Sequence, residues 1–300
     1  MFPITTLPED APDLLEQLGT KEKFWFRRTG ARHLFKLVRQ ETGEDWSEKV
    51  ASEISALLGL PHARYDFGVW KGLRGVVTPS FVPEGGGLVH GNELILKLVP
   101  EYPGAKSFRV RQHTVRLALA VLRANAPSPP IAWEPIPGVA SAIDVFVGYL
   151  LLDALIGNTD RHHENWGLVV SPEMTIHLAP SYDHASSLGR NESDENRRAR
   201  LTTRDAGRSV RRYAERAASA FYGTGGKGPL STFQAFVEGA GIAPAAAKAW
   251  LNRLSGVTLE DTLRIFQEVP LTLVTEPAIE FAQTMLETNR DRLLQLRESL

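Results

Sequence analysis

The sequence predicts an α+β fold in two lobes, a small β-rich N-terminal lobe followed by a larger, all-helical C-terminal lobe. Short β-favouring runs occupy the first third of the chain, and long runs with helical spacing fill most of the remainder. Between them, residues 83–87 read PEGGG, and a proline with three glycines holds neither helix nor strand. This linker signal predicts a lobe of residues 1–83 and a lobe of residues 84–300.

Four runs of aromatic and β-branched residues predict strands in the N-terminal lobe, at residues 23–26, 33–38, 63–70 and 75–82. Thr29 and Gly30 separate the first two runs and favour a turn. After the second run, Asp45 is followed three residues later by Glu48, which is the pattern of a capping box with Asp45 as the N-cap. Apolar residues then recur at helical spacing until Gly59, which predicts one helix in this lobe.

In the C-terminal lobe, apolar periodicity predicts helices at residues 108–123, 140–156, 205–221, 231–238, 244–254 and 276–300. Residues 143–156 are the most apolar stretch, but they are too few to span a bilayer and predict a buried core helix. A loop-rich stretch follows at residues 157–196, with two strand-like pieces at residues 166–170 and 175–178. Polar loops that follow a buried element are where catalytic side chains are usually found.

Composition narrows the function classes. The 300 residues include no cysteine, which excludes disulfides, thiolate metal sites and cysteine nucleophiles. A net charge of −1 gives the whole chain no attraction to nucleic acid or membrane. The N-terminus lacks a basic start followed by an apolar run, so no signal peptide is predicted and we expect a cytoplasmic protein.

The polar string GNTDRHHENW at residues 157–166 carries the chemistry. Phosphoryl transfer needs a carboxylate that accepts the proton of the attacking hydroxyl, and oxygen ligands that hold magnesium against the phosphates. Asp160 and Asn165 are five positions apart, the spacing of those two groups in protein kinases. Asp183 follows 18 residues after Asn165, beyond the strand pair, and a hairpin there would return its carboxylate to the loop.

This string, together with LAPSYDHASSLG at residues 178–189, resembles the HipA-like serine/threonine kinases, a family of bacterial toxin–antitoxin kinases. The resemblance is specific over residues 150–189. It implies Asp160 as catalytic base, Asn165 and Asp183 as magnesium ligands, and ATP as co-substrate. It also implies a protein-kinase-like fold with ATP between the lobes, a catalytic loop at residues 157–166 and a metal-binding segment at residues 180–189.

The N-terminal lobe offers further nucleotide-binding candidates. Lys36 lies in a strand-like run, where the lysine that binds the α- and β-phosphates is expected. Glu53 follows 17 residues later on the predicted helix and is expected to pair with Lys36. His162 of the polar string is a further candidate nucleotide-binding residue. The loop at residues 19–23, with the hydroxyl of Thr20, is a candidate cover for the phosphates, although it does not match G-x-G-x-x-G.

Other functions stay open. Four histidines fall within 23 residues and lie among carboxylates, a composition that zinc or iron sites also use, so a metallohydrolase is an alternative: His162, His163, His177 and His184. No H-E-x-x-H or comparable ligand spacing supports it. A kinase of small molecules and a nucleotide-binding pseudokinase are further alternatives. The presence of all three kinase residues in the polar segments argues against the pseudokinase.

Residues 194–216 contain eight arginines against four acidic residues. A basic face there would attract an acidic or RNA-bound protein, whereas ion pairs within the chain are the alternative interpretation. HipA-like toxins phosphorylate aminoacyl-tRNA synthetases, so the resemblance suggests such a protein substrate and a separately encoded antitoxin. No helix-turn-helix module is recognisable, so direct DNA binding is not expected. The net charge and the short apolar stretch likewise predict no membrane association.

Overall fold

The computed structural model describes residues 1–15, 22–40, 42–223, 225 and 228–299. It confirms the α+β class. The candidate phosphate-covering loop at residues 19–23 falls mainly on residues 19–21, including Thr20, which lie outside the described residues.

One sheet and one helix make up the N-terminal part of the chain. Its elements are β1 (Ile4–Leu7), β2 (Leu14–Leu15), β3 (Lys23–Arg28), β4 (Ala31–Leu37), α1 (Glu44–Leu58), β5 (Asp66–Trp70) and β6 (Leu73–Pro79). All six strands join one sheet in the order β1-β5-β6-β4-β3-β2. The four strands expected from sequence are present, and Thr29 and Gly30 form the turn between β3 and β4 with positive φ angles.

Helices dominate the remainder. The elements are β7 (Gly87–His90), α2 (Gly91–Leu98), α3 (Val115–Asn125), α4 (Ala142–Ile156), β8 (Gly167–Val170), β9 (Ile176–Leu178), α5 (Asp194–Thr202), a 3-10 turn (Ala206–Arg208), α6 (Val210–Glu215), β10 (Ala218–Tyr222), β11 (Pro229–Ser231), α7 (Thr232–Ile242), α8 (Pro244–Ser255), α9 (Leu259–Gln267) and α10 (Glu276–Arg297). The expectation of an all-helical C-terminal lobe is wrong, because β7, β8 and β9 form a three-stranded sheet and β10 pairs with β11.

Two of the expected helices are shorter than the sequence pattern indicates. The helix expected at residues 108–123 begins only at Val115, because the hydroxyl of Thr114 caps it by accepting from Leu117 N–H at 3.1 Å. The helix expected at residues 205–221 gives way to strand β10. There Tyr222 N–H donates to the carbonyl of His113 at 2.8 Å, so contacts with a distant segment override the helix propensity of its alanines.

The capping box expected at Asp45 is also wrong. Gly43 is the N-cap of α1 with φ +67°, and a Cβ there would lie 2.2 Å from Trp46 Nε1, so the position requires glycine. Asp45 lies inside the first turn, and its carboxylate is 2.6 Å from the guanidinium of Arg74 on β6. This ion pair attaches α1 to the sheet. Glu48 takes no part in the cap, because the N-cap is Gly43, five residues earlier.

Helix α4 is the centre of the hydrophobic core, as the sequence predicts. Nearly all of its residues are buried, and α3, α7, α8 and α10 pack against it. Ser141 caps its start, and Gly157 ends it in the left-handed conformation with φ +64°. Each fully buried leucine or phenylalanine contributes about 1.5–3 kcal/mol, so this helix is a rigid base for the loop that follows it. Among the described residues, no helix has both the length and the apolar character needed to cross a membrane.

The linker at residues 83–87 lies between the two main sheets. The six-stranded sheet and α1 fall entirely within residues 1–83, and β7 begins at Gly87 and pairs with β8. This element order is compatible with a lobe boundary between residues 83 and 84, and that boundary stays a prediction.

Candidate functional site

Lys36 is at the centre of a buried charge cluster. Its ammonium nitrogen lies 2.8 Å from Asp183 Oδ1 and 3.5 Å from Glu48 Oε2, and the residue is 6% exposed. Burial lowers the pKa of Lys36, but the negative charge of Asp183, the phenol of Tyr65 and the charge of Glu48 outweigh it. The net result is a pKa well above the ordinary value, so Lys36 is a fixed cation at neutral pH.

The expected pairing of Lys36 with Glu53 is wrong. Glu53 Oε1 accepts from the ammonium of Lys49 at 2.7 Å, and Lys49 also pairs with Asp66 at 3.0 Å. Glu48 and Glu53 are five residues apart, which is about 140° around a helix, so they lie on different faces of α1.

Glu48 is a site residue that the sequence interpretation missed. Its carboxylate is 1% exposed, and Oε1 accepts from the backbone N–H of His184 at 2.6 Å. The sequence signal was present, because Ala51 and Ser55 follow Glu48 at helical spacing. Small residues on one helix face mark a close approach, and a carboxylate on such a face marks a buried partner.

A buried arginine joins the catalytic loop to its neighbours. Arg161 forms a bidentate ion pair with Asp153 of α4, at 2.9 and 2.8 Å. Its Nη1 also donates to the carbonyls of Asn165 at 3.0 Å and Tyr182 at 3.3 Å. One guanidinium therefore holds the core helix, the loop and the residue before Asp183 together.

Asp153 is a second residue of the site that the sequence interpretation missed. In the sequence it is a carboxylate inside an otherwise apolar segment, and a charge in a buried helix signals a buried partner. Burial lowers the pKa of Arg161, but Asp153 outweighs burial and the pKa is raised, which keeps the guanidinium charged.

The backbone of Asp160 is held on both sides while its carboxylate stays accessible. Its N–H donates to Asn158 Oδ1 at 3.1 Å, and its carbonyl accepts from Asn165 Nδ2 at 2.7 Å. The carboxylate accepts from the hydroxyl of Ser186 at 3.5 Å, and the side chain is 32% exposed. Asp160 is therefore oriented and open to a substrate.

The side-chain amide of Asn165 is oriented by the same bond. Because its nitrogen donates to the carbonyl of Asp160, the amide oxygen is the atom that remains for a cation. No residue in the described ranges donates a hydrogen bond to that oxygen, although Asn165 is only 5% exposed. This is the arrangement that a metal-ligating asparagine needs.

Asp183 has a strained backbone, with φ +58° at a residue other than glycine. Its N–H donates to the hydroxyl of Tyr65 at 3.2 Å, and its carboxylate pairs with Lys36. Strands β8 and β9 form an antiparallel hairpin ahead of it, which confirms that a hairpin returns the chain towards the catalytic loop. Left-handed strain of about 1–3 kcal/mol persists only where the surroundings impose it, as they do at functional sites.

Two histidines of the loop contact neighbouring protein groups. His162 Nδ1 accepts from the backbone N–H of Glu164 at 3.2 Å, and Nε2 lies 3.9 Å from Asp160 Oδ1. His163 Nδ1 lies 2.5 Å from the hydroxyl of Tyr102. Burial lowers the pKa of His163 to about 4, so its imidazole is neutral near pH 7.

The other two histidines of the group lie apart from them. His177 Nδ1 lies 2.9 Å from the carbonyl of Pro129, and His184 Nε2 lies 2.7 Å from the hydroxyl of Ser181. Within the part of the chain that the structure describes, no three His, Cys, Asp or Glu side chains are grouped so that they could hold a metal ion. These four side chains therefore do not assemble the zinc or iron site that a metallohydrolase would need.

The residues present fit magnesium and a nucleotide. A carboxylate and an amide oxygen are hard ligands of the kind that magnesium prefers, and Asp183 and Asn165 supply them. Magnesium in such sites is completed by phosphate oxygens and water, so two protein ligands are enough. The ammonium group of Lys36, beside Asp183, adds a positive charge that can bind a phosphate.

Half of the eight arginines in this segment pair with carboxylates of the same chain. Arg197 is buried, with its guanidinium 2.7 Å from Asp194, and Arg200 lies 3.1 Å from Glu192. At these positions the arginines form ion pairs within the chain, which is the alternative interpretation of the sequence. Four of its arginines are exposed and make no ion pair with a described residue: Arg198, Arg204, Arg208 and Arg216.

The fold that carries the cluster around Lys36 and Asp183 is shared with two proteins of known structure. The chain is similar to the Helicobacter pylori proinflammatory kinase CtkA, with a TM-score of 0.78 and 19% sequence identity over 100% of this chain and 98% of that one. It is also similar to HipA of Shewanella oneidensis MR-1, solved with HipB and operator DNA, with a TM-score of 0.59 and 15% identity. That match covers 96% of this chain and 67% of HipA.

No family model matches the chain, and no curated protein sequence matches it significantly. TM-scores of 0.78 and 0.59 establish a shared fold, whereas identities of 19% and 15% leave activity, substrate and partners to be argued from the site. The resemblance in residues 150–189 is thus confirmed by the fold of the whole chain.

Proposed function

We propose that this chain is a HipA-like protein kinase that uses ATP and magnesium to phosphorylate a serine or threonine hydroxyl of a protein. One observation carries the proposal. The Lys36–Asp183 ion pair lies beside a loop with Asp160 and Asn165 at the kinase spacing, in a fold shared with two kinases.

Nucleotide binding is assigned to the buried cluster. Lys36 binds the α- and β-phosphates, and Glu48 holds its ammonium group in place from helix α1. Asn165 and Asp183 hold magnesium, and His162 contributes to the same site from the loop. The metal, when bound, neutralises negative charge on the phosphates.

Asp160 acts on the acceptor. It orients the serine or threonine hydroxyl and accepts its proton while the hydroxyl oxygen forms a bond to the γ-phosphorus. The bond between the γ-phosphorus and the bridging oxygen breaks, and ADP leaves with that electron pair. The accessibility of the Asp160 carboxylate and its hydrogen bond from Ser186 support this role.

The substitution Asp160→Asn tests the proposal. Asparagine keeps the shape of the side chain but cannot accept the proton, so transfer should fall by about 10²–10⁴-fold while ATP binding is retained. Transfer is measured with γ-labelled ATP and the proteins of a desalted cell extract, and binding is measured by calorimetry. Near-native transfer by a folded Asp160→Asn protein would refute the assignment.

The complex in which HipA was solved suggests partners for this chain as well. That protein was solved with HipB and operator DNA, so we propose a separately encoded antitoxin here. From the sequence features alone, we also propose a cytoplasmic location and no direct DNA contact by this chain. The protein substrate we propose is an aminoacyl-tRNA synthetase. Phosphoproteomes of cells that express the native chain or Asp160→Asn would identify it, and growth arrest by the native chain alone would support a toxin.

The same experiments separate the alternatives. Magnesium-dependent ATP binding without transfer to any acceptor would indicate a pseudokinase. Transfer only to the low-molecular-weight fraction of the extract would indicate a small-molecule kinase.

A further inference from the structure

A cavity of about 250 Å³ lies next to the proposed base. Its lining includes Thr159, which directly precedes Asp160, and Ser186, whose hydroxyl donates to Asp160 Oδ2 at 3.5 Å. Thr159 N–H also donates to the carbonyl of Ser186 at 3.1 Å. One hydrogen bond, donated by the lining residue Ser186, therefore links the cavity to the Asp160 carboxylate.

The cavity is strongly basic. Four arginines line it: Arg190, Arg200, Arg212 and Arg216. No aspartate or glutamate is among the described residues of its lining. The carboxylates that pair with these arginines lie outside the lining, so an anion that enters meets guanidinium groups first.

Arg190 is the most buried of the four, at 9% exposure. Its Nη1 lies 3.2 Å from Glu44 Oε1, and Nη2 donates to Ser186 Oγ at 3.5 Å. Its Nε has no hydrogen-bond partner among the described residues. Burial lowers the pKa of Arg190, and the negative charge of Glu44 does not outweigh that effect.

Two of the other three arginines, Arg212 and Arg216, are also incompletely neutralised. Arg212 lies 3.3 Å from Glu215, but Glu215 also pairs with Arg211 at 3.0 Å. Arg200 lies 3.1 Å from Glu192, and Arg216 is exposed and makes no ion pair with any described residue. An additional oxyanion would complete the charge balance of the cavity.

We propose that this cavity binds an oxyanion of the acceptor protein close to the hydroxyl that is phosphorylated, and that a phosphate monoester is its preferred form. The proposal rests on the proposed function, because that function places the acceptor hydroxyl at Asp160. Guanidinium groups bind phosphate through paired N–H donors, and a dianionic phosphate meets several arginines better than one carboxylate does.

The size of the cavity favours a side chain over a nucleic acid. Its volume equals that of about eight water molecules at ~30 Å³ each, which fits one phosphate and its stem. A nucleic-acid backbone instead needs an extended basic track.

The exposed arginines outside the cavity, Arg198 and Arg204, provide matched controls on the same segment.

A binding measurement tests the cavity apart from catalysis. With saturating magnesium and ADP present, O-phosphoserine should raise the melting temperature of the native protein saturably, glutamate should do so more weakly, and serine should not. Arg212→Gln/Arg216→Gln should weaken the apparent affinity for O-phosphoserine at least about tenfold. Arg198→Gln/Arg204→Gln should bind as the native protein does. Equal binding by the cavity variant, or none by the native protein, would overturn the proposal.

Transfer measurements test the link to the acceptor. Serine peptides with phosphoserine, glutamate or alanine at each of the positions −3 to +3 should show at least about tenfold higher kcat/KM for phosphoserine at one position. The cavity variant should lose that preference and the control variant should keep it. Transfer without any such preference overturns the proposal. It is also overturned if a single-stranded RNA binds more tightly than O-phosphoserine and that binding depends on Arg212 and Arg216. Binding of O-phosphoserine with no transfer to any peptide or protein would instead contradict the proposed function and leave the cavity assignment standing.

Discussion

Lys36 Nζ lies 2.8 Å from Asp183 Oδ1, although 147 positions separate the two residues in the chain. Lys36 lies on β4 of the six-stranded sheet, and Asp183 follows the β8–β9 hairpin of the C-terminal part. The ion pair therefore forms only when the sheet packs against the segment that carries Asp183. Glu48 of α1 adds a third contact to the same ammonium group, so three distant segments meet at Lys36.

We expect Glu48→Gln and Glu53→Gln to behave differently. Glu48 is buried beside Lys36 and His184, so its loss should lower the free energy of unfolding by about 3 kcal/mol and weaken ATP binding. Glu53 is partly exposed and pairs with Lys49, so its loss should cost less than about 1 kcal/mol and leave ATP binding unchanged. Urea unfolding and calorimetry measure both. Equal effects of the two substitutions would contradict the assignment of Glu48.

Asp183→Ala should remove most of the magnesium dependence of ATP binding. The carboxylate is the only charged member of the proposed ligand pair, so the variant should bind ATP with nearly the same affinity with and without the metal. Calorimetry at several magnesium concentrations measures this. Asn165→Ala is the companion variant, and raised magnesium should partly restore its activity but not that of Asp160→Asn. The native degree of magnesium dependence in Asp183→Ala would exclude it as a ligand.

Asp153→Asn should destabilise the protein by about 3–5 kcal/mol, because it leaves the buried Arg161 guanidinium without its anion. Asp144→Asn on the same helix is the control. Asp144 is part of an exposed capping box at the start of α4, where a loss of about 0.5–2 kcal/mol is expected. Urea unfolding measures both values. A smaller loss for Asp153→Asn than for Asp144→Asn would show that the ion pair does not hold the loop.

Acid should destabilise the protein in part through His113. Burial lowers the pKa of His113 to about 3, whereas the unfolded residue titrates near 6.5. Between those values the unfolded state binds the extra proton, so stability falls as the pH falls, by up to about 1.4 kcal/mol per pH unit for this group. His163, with a pKa of about 4, should act in the same direction.

The variant His113→Gln isolates this contribution. Its free energy of unfolding should depend less steeply on pH between about 6.5 and 4 than that of the native protein, with the remaining slope due to His163 and other groups. Urea unfolding at intervals of half a pH unit measures the two slopes. Identical slopes would mean that His113 binds its proton as readily in the folded protein as in the unfolded one.

Local patterns in the sequence determined much of the fold and part of the site. The strands β3 and β4, the core helix α4 and the β8–β9 hairpin each follow from residues close together in the chain. The spacing of Asp160 and Asn165 is also local, and so is the position of Asp183 after the hairpin. Periodicity and turn signals report such short-range relationships directly.

The tertiary structure decided the remaining features, because they depend on contacts between distant segments. The pairing of Glu48 with Lys36 needed the tertiary structure, because it depends on which face of α1 meets Lys36 and His184. The alanine-rich start of β10 has helix propensity, but pairing with β11 makes it a strand. The basic cavity likewise exists only because the segments that carry its arginines fold against one another beside Asp160.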